Sequence, residues 1–591
     1  MDLPQKNFNP PKKLFELNWK IAGEAGFGIK SSGLMFAKTI VRHGYFVFGY
    51  DEYPSLIRGG HNTYQLHISE IPAYSQKKHV SLLVCLNRKT FDQHKEELAE
   101  GAVILFDDSQ FQIEESELKN WNAKELKVPL IKLATEVGGD RIMANTVALG
   151  ASLAVLGGDF DILSQVITET FKAKGEDVIN QNIKVAREGF DFASKFNTLW
   201  EGNKLQKKQQ LKKIVITGNE AIALAAIASG CKFFAAYPMT PTSNILHYLA
   251  SVGSKKGMVV KHAEDEIAVI NMAVGASFAG ARSMVATSGG GFSLMVEGYG
   301  LASMVETPVV IVEGMRPGPA TGLPTWTGQG DLHFVLNAAQ DEFPRVVVAP
   351  GDISEAFTLT CQAFNIAEKY QIPVIILVDK LVCESHSSVD EYDTKDLIIE
   401  RGEILGENQI PQSEKFQRYK ITQNGVSPRT IPGVKGGQFV ANSDEHDQFG
   451  FSTEDAIERK EMFDKRMRKM IPLEKEISKP QMIRQFENAP LTVITFGSLK
   501  MVMMQAIEWL ENEGIQINYC NLNWLSPFPV NFISDLIARS KKTLIIENNA
   551  TSQLASLIKK ETGKGISDVY LKYDGRPFFP EEIVDKVKSL I

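Results

Sequence analysis

The sequence predicts an α/β protein made of three successive units, and three observations support this fold class. Glycine-rich turns repeatedly separate short apolar runs from helical patterns, which is typical of sheets with parallel strands. The length of 591 residues corresponds to about three to five domains at roughly 100–200 residues each. Hydrophobic residues make up 43% and charged residues 23% of the chain, which is ordinary for globular proteins. The chain can therefore bury several cores without disulfides or metals.

The first unit is predicted over residues 1–200. An apolar run at Trp19–Ala22 meets a glycine turn at Gly23–Gly28, and a helical pattern follows at Leu34–Val41. The turn reads G-x-x-G-x-G, whereas dinucleotide sites read G-x-G-x-x-G. A turn of this kind can present backbone N–H groups to a phosphate, but any tight strand–helix junction also favours glycine. Both interpretations stay open.

A candidate anion site follows from this turn. Gly26 and Gly28 supply the flexible backbone, and Arg58, in Arg58-Gly59-Gly60, supplies a cation. An exposed arginine has no specific role in most proteins, so this site depends on the turn itself binding an anion.

Residues 201–213 are polar and basic and are predicted to be a linker. The second unit is predicted over residues 214–384 in doubly wound order. Its strand candidates are Ile214–Thr217, Phe233–Tyr237, Met258–Lys261, Ser283–Thr287, Val309–Val312, Arg345–Val348 and Val374–Val378, and its helix candidates include Ile267–Phe278 and Glu355–Ala367. A charged connector over residues 385–489 contains one predicted exposed helix, at Thr453–Met470. A third α/β unit covers residues 490–591.

Four unusual loops follow predicted strands of the second unit. They are Ala236–Ser243 with two prolines, Glu264–Glu266, the Thr287–Gly291 glycine run, and Arg316–Thr325 with three prolines. In open α/β sheets the carboxyl ends of parallel strands form the ligand-binding edge. We therefore expect these four loops to lie close together at one edge of the sheet.

Each loop also has a structural interpretation. Thr242 or Ser243 suits the N-cap of the next helix, while Thr240 is held between two prolines with its hydroxyl directed outward. The acidic run at Glu264–Glu266 suits a helix N-terminus. The helix that follows is rich in small residues, which predicts close packing. A carboxylate in such dry surroundings has a raised pKa, which suits proton transfer.

Composition and cysteine usage exclude several classes of protein. The formal net charge is −7, which argues against non-specific nucleic-acid binding. The five cysteines are scattered without a Cys-x-x-Cys pair, so we predict no metal or iron–sulfur ligands in this chain. The first 18 residues lack an apolar signal region, and no stretch of about 18 apolar residues occurs. We expect a cytoplasmic protein that is not bound to a membrane.

The motifs together resemble the α subunit of the 2-oxoacid:ferredoxin oxidoreductases, most closely the 2-oxoglutarate type (2-oxoglutarate synthase). The resemblance rests on Tyr237–Pro241, Glu264–Ala268, Ala286–Phe292 and Arg316–Thr325, and is extended by Ser427–Arg429, Asn442–Gly450 and Asp574–Pro577. The N-terminal unit is similar to the family's γ subunit, fused in front of α. The resemblance implies a γ-type α/β domain, a pyrimidine-binding parallel α/β domain and a transketolase C-terminal-like α/β domain.

The resemblance also implies residue roles. Glu266 matches the glutamate that hydrogen-bonds the aminopyrimidine of thiamine diphosphate, with Glu264 as the nearest competitor. Thr240 and Arg316 match residues that hold the substrate, and Thr321 matches a threonine nearby. Tyr237 and Pro238 match residues beside the cofactor. Two departures from the family pattern are Met239, where isoleucine is usual, and the Gly23–Gly28 turn, at which the resemblance would place an anion or coenzyme A contact together with Arg58.

Missing motifs imply a partner chain. No Gly-Asp-Gly precedes an Asn by about 25–30 residues, the motif that the thiamine enzymes use for diphosphate and Mg²⁺. The resemblance therefore implies a β subunit that holds the Mg²⁺ and a [4Fe–4S] cluster. It also implies coenzyme A as co-substrate, ferredoxin as electron acceptor, and a heterodimer or a dimer of heterodimers.

The expected reaction is oxidative decarboxylation of 2-oxoglutarate to succinyl-CoA. Two alternatives stay open: a pyruvate or broad-specificity 2-oxoacid enzyme, and a non-catalytic homologue with an assembly or ligand-binding role.

Overall fold

The computed structural model describes residues 15–56, 59–209, 211–410, 415–477 and 479–591. The chain divides into two compact units. The first contains the described residues up to Val215 together with His386–Ser388. The second contains those of Ile216–Ser385 and Val389–Ile591.

The strands and helices are numbered along the chain. The strands are β1 Glu16–Glu24, β2 Phe46–Glu52, β3 His61–Ser69, β4 Val80–Cys85, β5 Leu98–Phe106, β6 Lys124–Lys127, β7 Lys213–Thr217, β8 Phe233–Ala236, β9 Val259–His262, β10 Ser283–Ser288, β11 Val309–Met315, β12 Val346–Val348, β13 Pro373–Asp379, β14 His386–Asp390, β15 Met482–Arg484, β16 Thr492–Phe496, β17 Asn518–Leu522, β18 Trp524–Ser526, β19 Thr543–Glu547 and β20 Asp568–Leu571.

The helices are α1 Ile29–Arg42, α2 Arg88–His94, α3 Glu115–Leu118, α4 Leu130–Gly138, α5 Ala144–Val155, α6 Phe160–Phe171, α7 Glu176–Ala193, α8 Gly218–Ala228, α9 Ser243–Val252, α10 Glu266–Phe278, α11 Gly289–Met304, α12 Leu332–Asn337, α13 Ile353–Tyr370, α14 Lys380–Glu384, α15 Ala456–Arg468, α16 Met470–Glu476, α17 Leu499–Asn512, α18 Val530–Arg539, α19 Gln553–Thr562 and α20 Pro580–Leu590. As judged from these helices, no part of the described chain could span a bilayer as a long apolar helix.

The first unit contains an eight-stranded sheet in the order β6-β5-β4-β1-β3-β2-β14-β7. The side chains of β1 alternate between two faces of the sheet. Trp19 and Ile21 lie on the apolar face in the core, and Lys20 lies on the polar face. The sheet is mixed, because β1 pairs in parallel with β4 but antiparallel with β3. The expected parallel sheet is therefore interrupted by the β2–β3 hairpin.

The second unit contains a seven-stranded sheet, ordered β18-β12-β13-β11-β10-β8-β9, and a five-stranded sheet, ordered β15-β17-β16-β19-β20. The strands from β12 to β9 are parallel. One apolar core joins the two sheets, since Phe292 and Ile311 belong to the same cluster as Phe496 and Ile545. The α/β class with three sheets agrees with the prediction.

Two element predictions need correction. Strand β7 was expected to open the second sheet but lies at the edge of the first. The helix expected to be exposed, α15, buries Lys465 completely, because Lys465 and Lys469 pair with the buried Glu306 at 2.5 and 2.6 Å. Local sequence shows the charge of a lysine but not the distant carboxylate that balances it.

Candidate active site

The unusual loops of the second unit do lie at one edge of the sheet. Strand β10 pairs in parallel with both β8 and β11, so the loops after these three strands leave from neighbouring carboxyl ends. Helix α10 begins beside them, after β9, which pairs in parallel with β8. The sheet order alone therefore brings Thr240, Glu266, Thr287 and Arg316 into one region.

Glu266 is the first residue of α10, and its carboxylate is not used to cap the helix. The preceding Asp265 does this, because its side chain accepts a hydrogen bond from the Ala268 N–H at 2.8 Å. The Glu266 side chain is 4% exposed, and its Oε1 has no hydrogen-bond partner among the described residues. Burial raises the pKa of this carboxyl group, and the charge of Asp265 raises it further. Glu264, the competing carboxylate, is exposed.

Gly291 makes room for this carboxylate at the start of α11. A Cβ atom on Gly291 would overlap Thr287 Oγ1 and lie 2.6 Å from Glu266 Oε1. The third glycine of the Gly289–Gly291 run is thus required by close packing against the glutamate. The free oxygen and the tight glycine contact fit a buried acceptor that awaits an N–H donor.

Arg316 and Thr240 meet directly. The Arg316 Nη1 donates to the Thr240 carbonyl oxygen at 2.9 Å, and the Thr240–Pro241 peptide is cis. Among the described residues no ion pair to Arg316 is formed within 4.0 Å, so its remaining donors can bind an anion. Arg316 is half-buried, and the guanidinium geometry suits a carboxylate.

A chain of contacts joins this pair to Glu266. The Thr287 hydroxyl lies 4.0 Å from the sulfur of Met239, beside Thr240, and the same hydroxyl faces Gly291 and thereby Glu266. Thr242 Oγ1 donates to the Thr287 carbonyl oxygen at 3.2 Å. Thr242 is the N-cap residue of α9, as predicted, but it does not cap the helix through its side chain.

The other predicted residues of this site are less closely connected. Tyr237 is 41% exposed with its ring 6.4 Å from that of His262, and Pro238 is half-buried. Thr321 is exposed in the loop after β11. No hydrogen bond joins it to Arg316 or Thr240 within the described part of the chain.

In the first unit, the glycine turn precedes α1. Gly26 and Gly28 have φ angles of 99° and 67°, which glycine adopts readily, and the first turn of α1 has no side-chain cap. Asn145 Nδ2 donates to the Phe27 carbonyl at 2.6 Å and holds the turn. Arg58 lies outside the described residues. Anion or coenzyme A binding here stays a prediction.

A cleft of about 460 Å³ opens beside Arg316 within the second unit. It is lined by the loop after β11 and by the loops that follow β19 and β20, including Asp331, Asn549, Thr551 and Tyr573. Gln329 connects these loops, since its side-chain oxygen accepts from the Asn548 N–H at 3.1 Å. The cleft combines the Arg316 cation and the Asp331 carboxyl with neutral hydrogen-bonding groups.

All five cysteines are buried and unpaired with one another. Burial raises the pKa of the Cys231 and Cys520 thiols to about 12, which disfavours the thiolate form that metals bind. The described residues contain no group of three or more His, Cys, Asp or Glu side chains arranged to hold a metal ion.

Two carboxyl groups of the site were missed from sequence. Glu313 is fully buried on β11, and Asp331 lines the cleft. The available signal for Glu313 was its position as a charged residue within the apolar run of Val309–Met315. Asp331 carried no such signal in the sequence, because it comes near Glu313 only when the loop has folded.

Known protein families match nearly the whole chain. Three family models match in succession: Pyruvate ferredoxin/flavodoxin oxidoreductase at residues 18–192, Pyruvate flavodoxin/ferredoxin oxidoreductase, thiamine diP-bdg, at residues 224–465, and Pyruvate:ferredoxin oxidoreductase core domain II at residues 489–583.

Individual relatives agree with these family models. The subunit alpha of a 2-oxoacid:ferredoxin oxidoreductase from Saccharolobus solfataricus is 33% identical over 97% of this chain and 98% of its own length. The 2-oxoglutarate synthase subunit KorA of Methanothermobacter thermautotrophicus is 30% identical over 64% of this chain and 98% of its own. The solved 2-oxoglutarate:ferredoxin oxidoreductase from Magnetococcus marinus, with 2-oxoglutarate, coenzyme A and succinyl-CoA bound, is 31% identical. It covers 97% of this chain and 99% of that chain, with a TM-score of 0.90.

Proposed function

This chain belongs to the 2-oxoacid:ferredoxin oxidoreductase family as an alpha-type subunit with a thiamine diphosphate domain, and from that premise we propose that it acts on 2-oxoglutarate with Glu266 as its cofactor-activating residue. The observation that carries this proposal is the buried Oε1 of Glu266, which lacks a partner. Glu266 would help to hold thiamine diphosphate, which would supply a nucleophilic carbon for the 2-oxo group and an electron sink for decarboxylation.

The residues of this chain fit the aminopyrimidine side of that cofactor. Glu266 can accept a hydrogen bond from a protonated ring nitrogen, and its raised pKa favours holding a proton there. Tyr237 and Pro238 border the same edge of the sheet. Arg316 and Thr240 would bind the substrate carboxylate. Contacts through Thr287 connect these two residues to Glu266.

The choice of 2-oxoglutarate rests on similarity. The solved Magnetococcus marinus enzyme has 2-oxoglutarate bound, and KorA is a 2-oxoglutarate synthase subunit. The second carboxylate of 2-oxoglutarate needs a further cation. Pyruvate, which lacks that group, is the alternative substrate, and the ratio of kcat/KM for the two acids in the assembled enzyme decides between them.

We infer a partner (β) subunit that holds the Mg²⁺ and the [4Fe–4S] cluster, with coenzyme A and ferredoxin as the other reactants. The buried single cysteines of this chain are poor cluster ligands. An exposed face of α10, next to Glu266, suits a protein partner: Ile267, Met272 and Phe278 are 54%, 38% and 37% exposed. Gly275 on this face has no heavy atom within 4 Å of an added Cβ, so another backbone can approach closely.

The small residues of α10 thus lie on both its buried and its exposed side. Ala273 packs in the core, whereas Gly275 and Ala279, the residue just after the helix, are exposed. The sequence predicted close packing for all of them, and the structure shows it for the inner face of the helix.

The experiment is a comparison of Glu266→Gln with Glu264→Gln in the complex with the partner subunit. The assay measures 2-oxoacid-dependent reduction of a viologen dye in the presence of coenzyme A. Glu266→Gln should lower kcat by at least about 100-fold, the typical contribution of acid–base catalysis, without changing the circular dichroism spectrum. Glu264→Gln should retain activity because that side chain is exposed.

Loss of activity in Glu264→Gln alone would show that the wrong carboxylate was assigned. Full activity in both variants would contradict the proposed mechanism. An assembled complex without turnover on any 2-oxoacid would favour the non-catalytic alternative.

A further inference from the structure

Glu313 lies where an apolar side chain is expected. On β11 it shares a face with Val309, Ile311 and Met315, all of which belong to the core beneath α10 and α11. It is 0% exposed, and neither of its carboxyl oxygens accepts a hydrogen bond from an N–H or O–H group of the described residues. Burying a carboxylate without hydrogen-bond donors costs free energy. Glu313 therefore differs from the carboxylate of a structural ion pair.

A second carboxyl, that of Asp331, lies near Glu313. Glu313 pairs with Thr287 across β10 and β11. Asp331 is beside Gly289, two residues after Thr287, and the two carboxyls interact. Asp331 precedes α12 but does not cap it. Its side chain instead lies beside the α11 N-terminus, where a Cβ atom on Gly289 would come within 2.6 Å of Asp331 Oδ2. Two carboxyl groups can hydrogen-bond to each other only if the pair holds a proton.

The surroundings favour Glu313 as the holder of that proton. Burial raises the pKa of Glu313 well above its usual value, and the contact with Asp331 adds to this. Burial also raises the pKa of Asp331, while the hydrogen bond from Glu313 opposes that shift. Asp331 lines the cleft and Glu313 does not, which leaves the ionised oxygen on the cleft side.

Among the described residues, few other titratable groups face the pair. Arg316 interacts with both carboxyls, and the Cys383 thiol on α14 interacts with Glu313. Asp379, at the end of the adjoining strand β13, is bound by Ser498 Oγ at 2.6 Å. Glu266 lies on the other side of the Gly289–Gly291 turn.

We propose that Glu313 and Asp331 form a proton-sharing carboxyl pair that positions and sets the charge of the Arg316 site, with Glu313 donating its O–H to the Asp331 carboxylate. This inference rests on the proposed function only in taking Arg316 as the residue that binds the substrate carboxylate. With one shared proton the pair carries one negative charge, which Arg316 balances. If the proton were lost, two negative charges beside one cation would repel an anionic substrate.

The pair therefore predicts an upper pH limit on substrate affinity. As the pH rises, loss of the shared proton should raise KM for a 2-oxoacid with little effect on kcat. Glu313→Gln keeps a donor to Asp331 but cannot ionise. In the assembled enzyme its KM at neutral pH should stay within about fivefold of wild type, the value of one neutral hydrogen bond, and the rise of KM at high pH should disappear.

Asp331→Asn tests the sign of the effect. It removes the negative charge next to Arg316, so KM for the anionic substrate should fall below the wild-type value. Simple damage to the site would raise KM. A raised KM in Asp331→Asn, or an unchanged pH profile in Glu313→Gln, would overturn the proposal.

A measurement on the purified chain separates this inference from the proposed function. Infrared difference spectra of wild type minus Glu313→Gln at neutral pH should show the C=O band of one protonated carboxylic acid, and absence of that band would overturn the pair. If the band is present but KM responds to neither substitution, the charge-setting role is overturned and Arg316 is not the carboxylate site, a result that counts against the proposed function.

Discussion

At the scale of single residues, the chemistry of the site depends on which neighbouring carboxylate is left without a partner. Asp265 and Glu266 are adjacent, but Asp265 satisfies the helix N-terminus and Glu266 does not. The side-chain oxygen of an N-cap residue accepts a hydrogen bond from a backbone N–H of the first helical turn. The next residue is not needed for capping, so its side chain is free to turn toward the sheet edge. The unpartnered oxygen of Glu266 follows from this division of roles.

Arg316→Lys tests the residue that we assign to the substrate carboxylate. Lysine keeps the charge but loses the planar fork, so at least one charged hydrogen bond is lost, a change of about 1.5–3 kcal/mol. We expect KM to rise about 10-fold or more, with a smaller change in kcat. Steady-state kinetics of the assembled enzyme measure both.

Arg539→Lys provides the control, because Arg539 is at the end of α18, where its Nε donates to the Asp535 carbonyl. It should leave KM unchanged. Equal KM values for Arg316→Lys and wild type would remove Arg316 from the substrate site.

At the scale of elements, the site is formed where α10 and α11 begin and pack against each other. The α11 glycine run starts directly after β10, so the strand and the helix leave no space for a side chain at its third position. Helix α15 shows the same dependence on distant elements, since its Lys465 and the following Lys469 are buried against Glu306.

Gly291→Ala and Gly290→Ala form a matched pair for this junction. The added methyl group at Gly291 would overlap Thr287 and crowd Glu266, whereas at Gly290 the nearest contact is 3.7 Å, to the Ala320 carbonyl. Overpacking costs about 1–3 kcal/mol, so Gly291→Ala should lower the thermal unfolding midpoint of the chain. Gly290→Ala should keep or slightly raise it.

The reverse order of the two midpoints would mean that the carboxylate does not pack against the α11 turn.

At the scale of the whole molecule, the chain presents an exposed apolar face of α10 next to Glu266. Exposed apolar surface of this kind commonly marks a protein interface. The family relationship makes a second subunit of the oxidoreductase the expected occupant.

Ile267→Glu and Ile457→Glu test that interface. Both side chains are exposed, at 54% and 70%, but Ile267 adjoins Glu266 while Ile457 is on α15. An unpaired charge buried in an interface is costly, so Ile267→Glu should weaken binding of the partner subunit by at least about tenfold, as measured by titration calorimetry. Ile457→Glu should bind normally, and neither should unfold the chain.

If Ile267→Glu bound the partner as tightly as Ile457→Glu, the α10 face would not be the interface.

Much of the fold and of the candidate site could be predicted from the sequence. The strand–turn–helix order predicted the α/β class and the helices of the second unit, because hydrophobic periodicity is a local property. The loops with glycines and prolines indicated where Thr240, Glu266 and Arg316 belong, since the topology of parallel sheets sends successive strand ends to one edge. The roles of these residues came from the family resemblance and await the experiments above.

The remainder was decided by tertiary structure. Placement of β7 in the first sheet, burial of Lys465 and the meeting of Glu313 with Asp331 all depend on partners far away in the chain. Hydrogen bonds and ion pairs between such partners form only after the elements have packed, because their energy depends on distance and on exclusion of water. The sequence by itself therefore determined the elements and the edge at which they act, whereas folding decided which carboxyl groups are free, paired or protonated there.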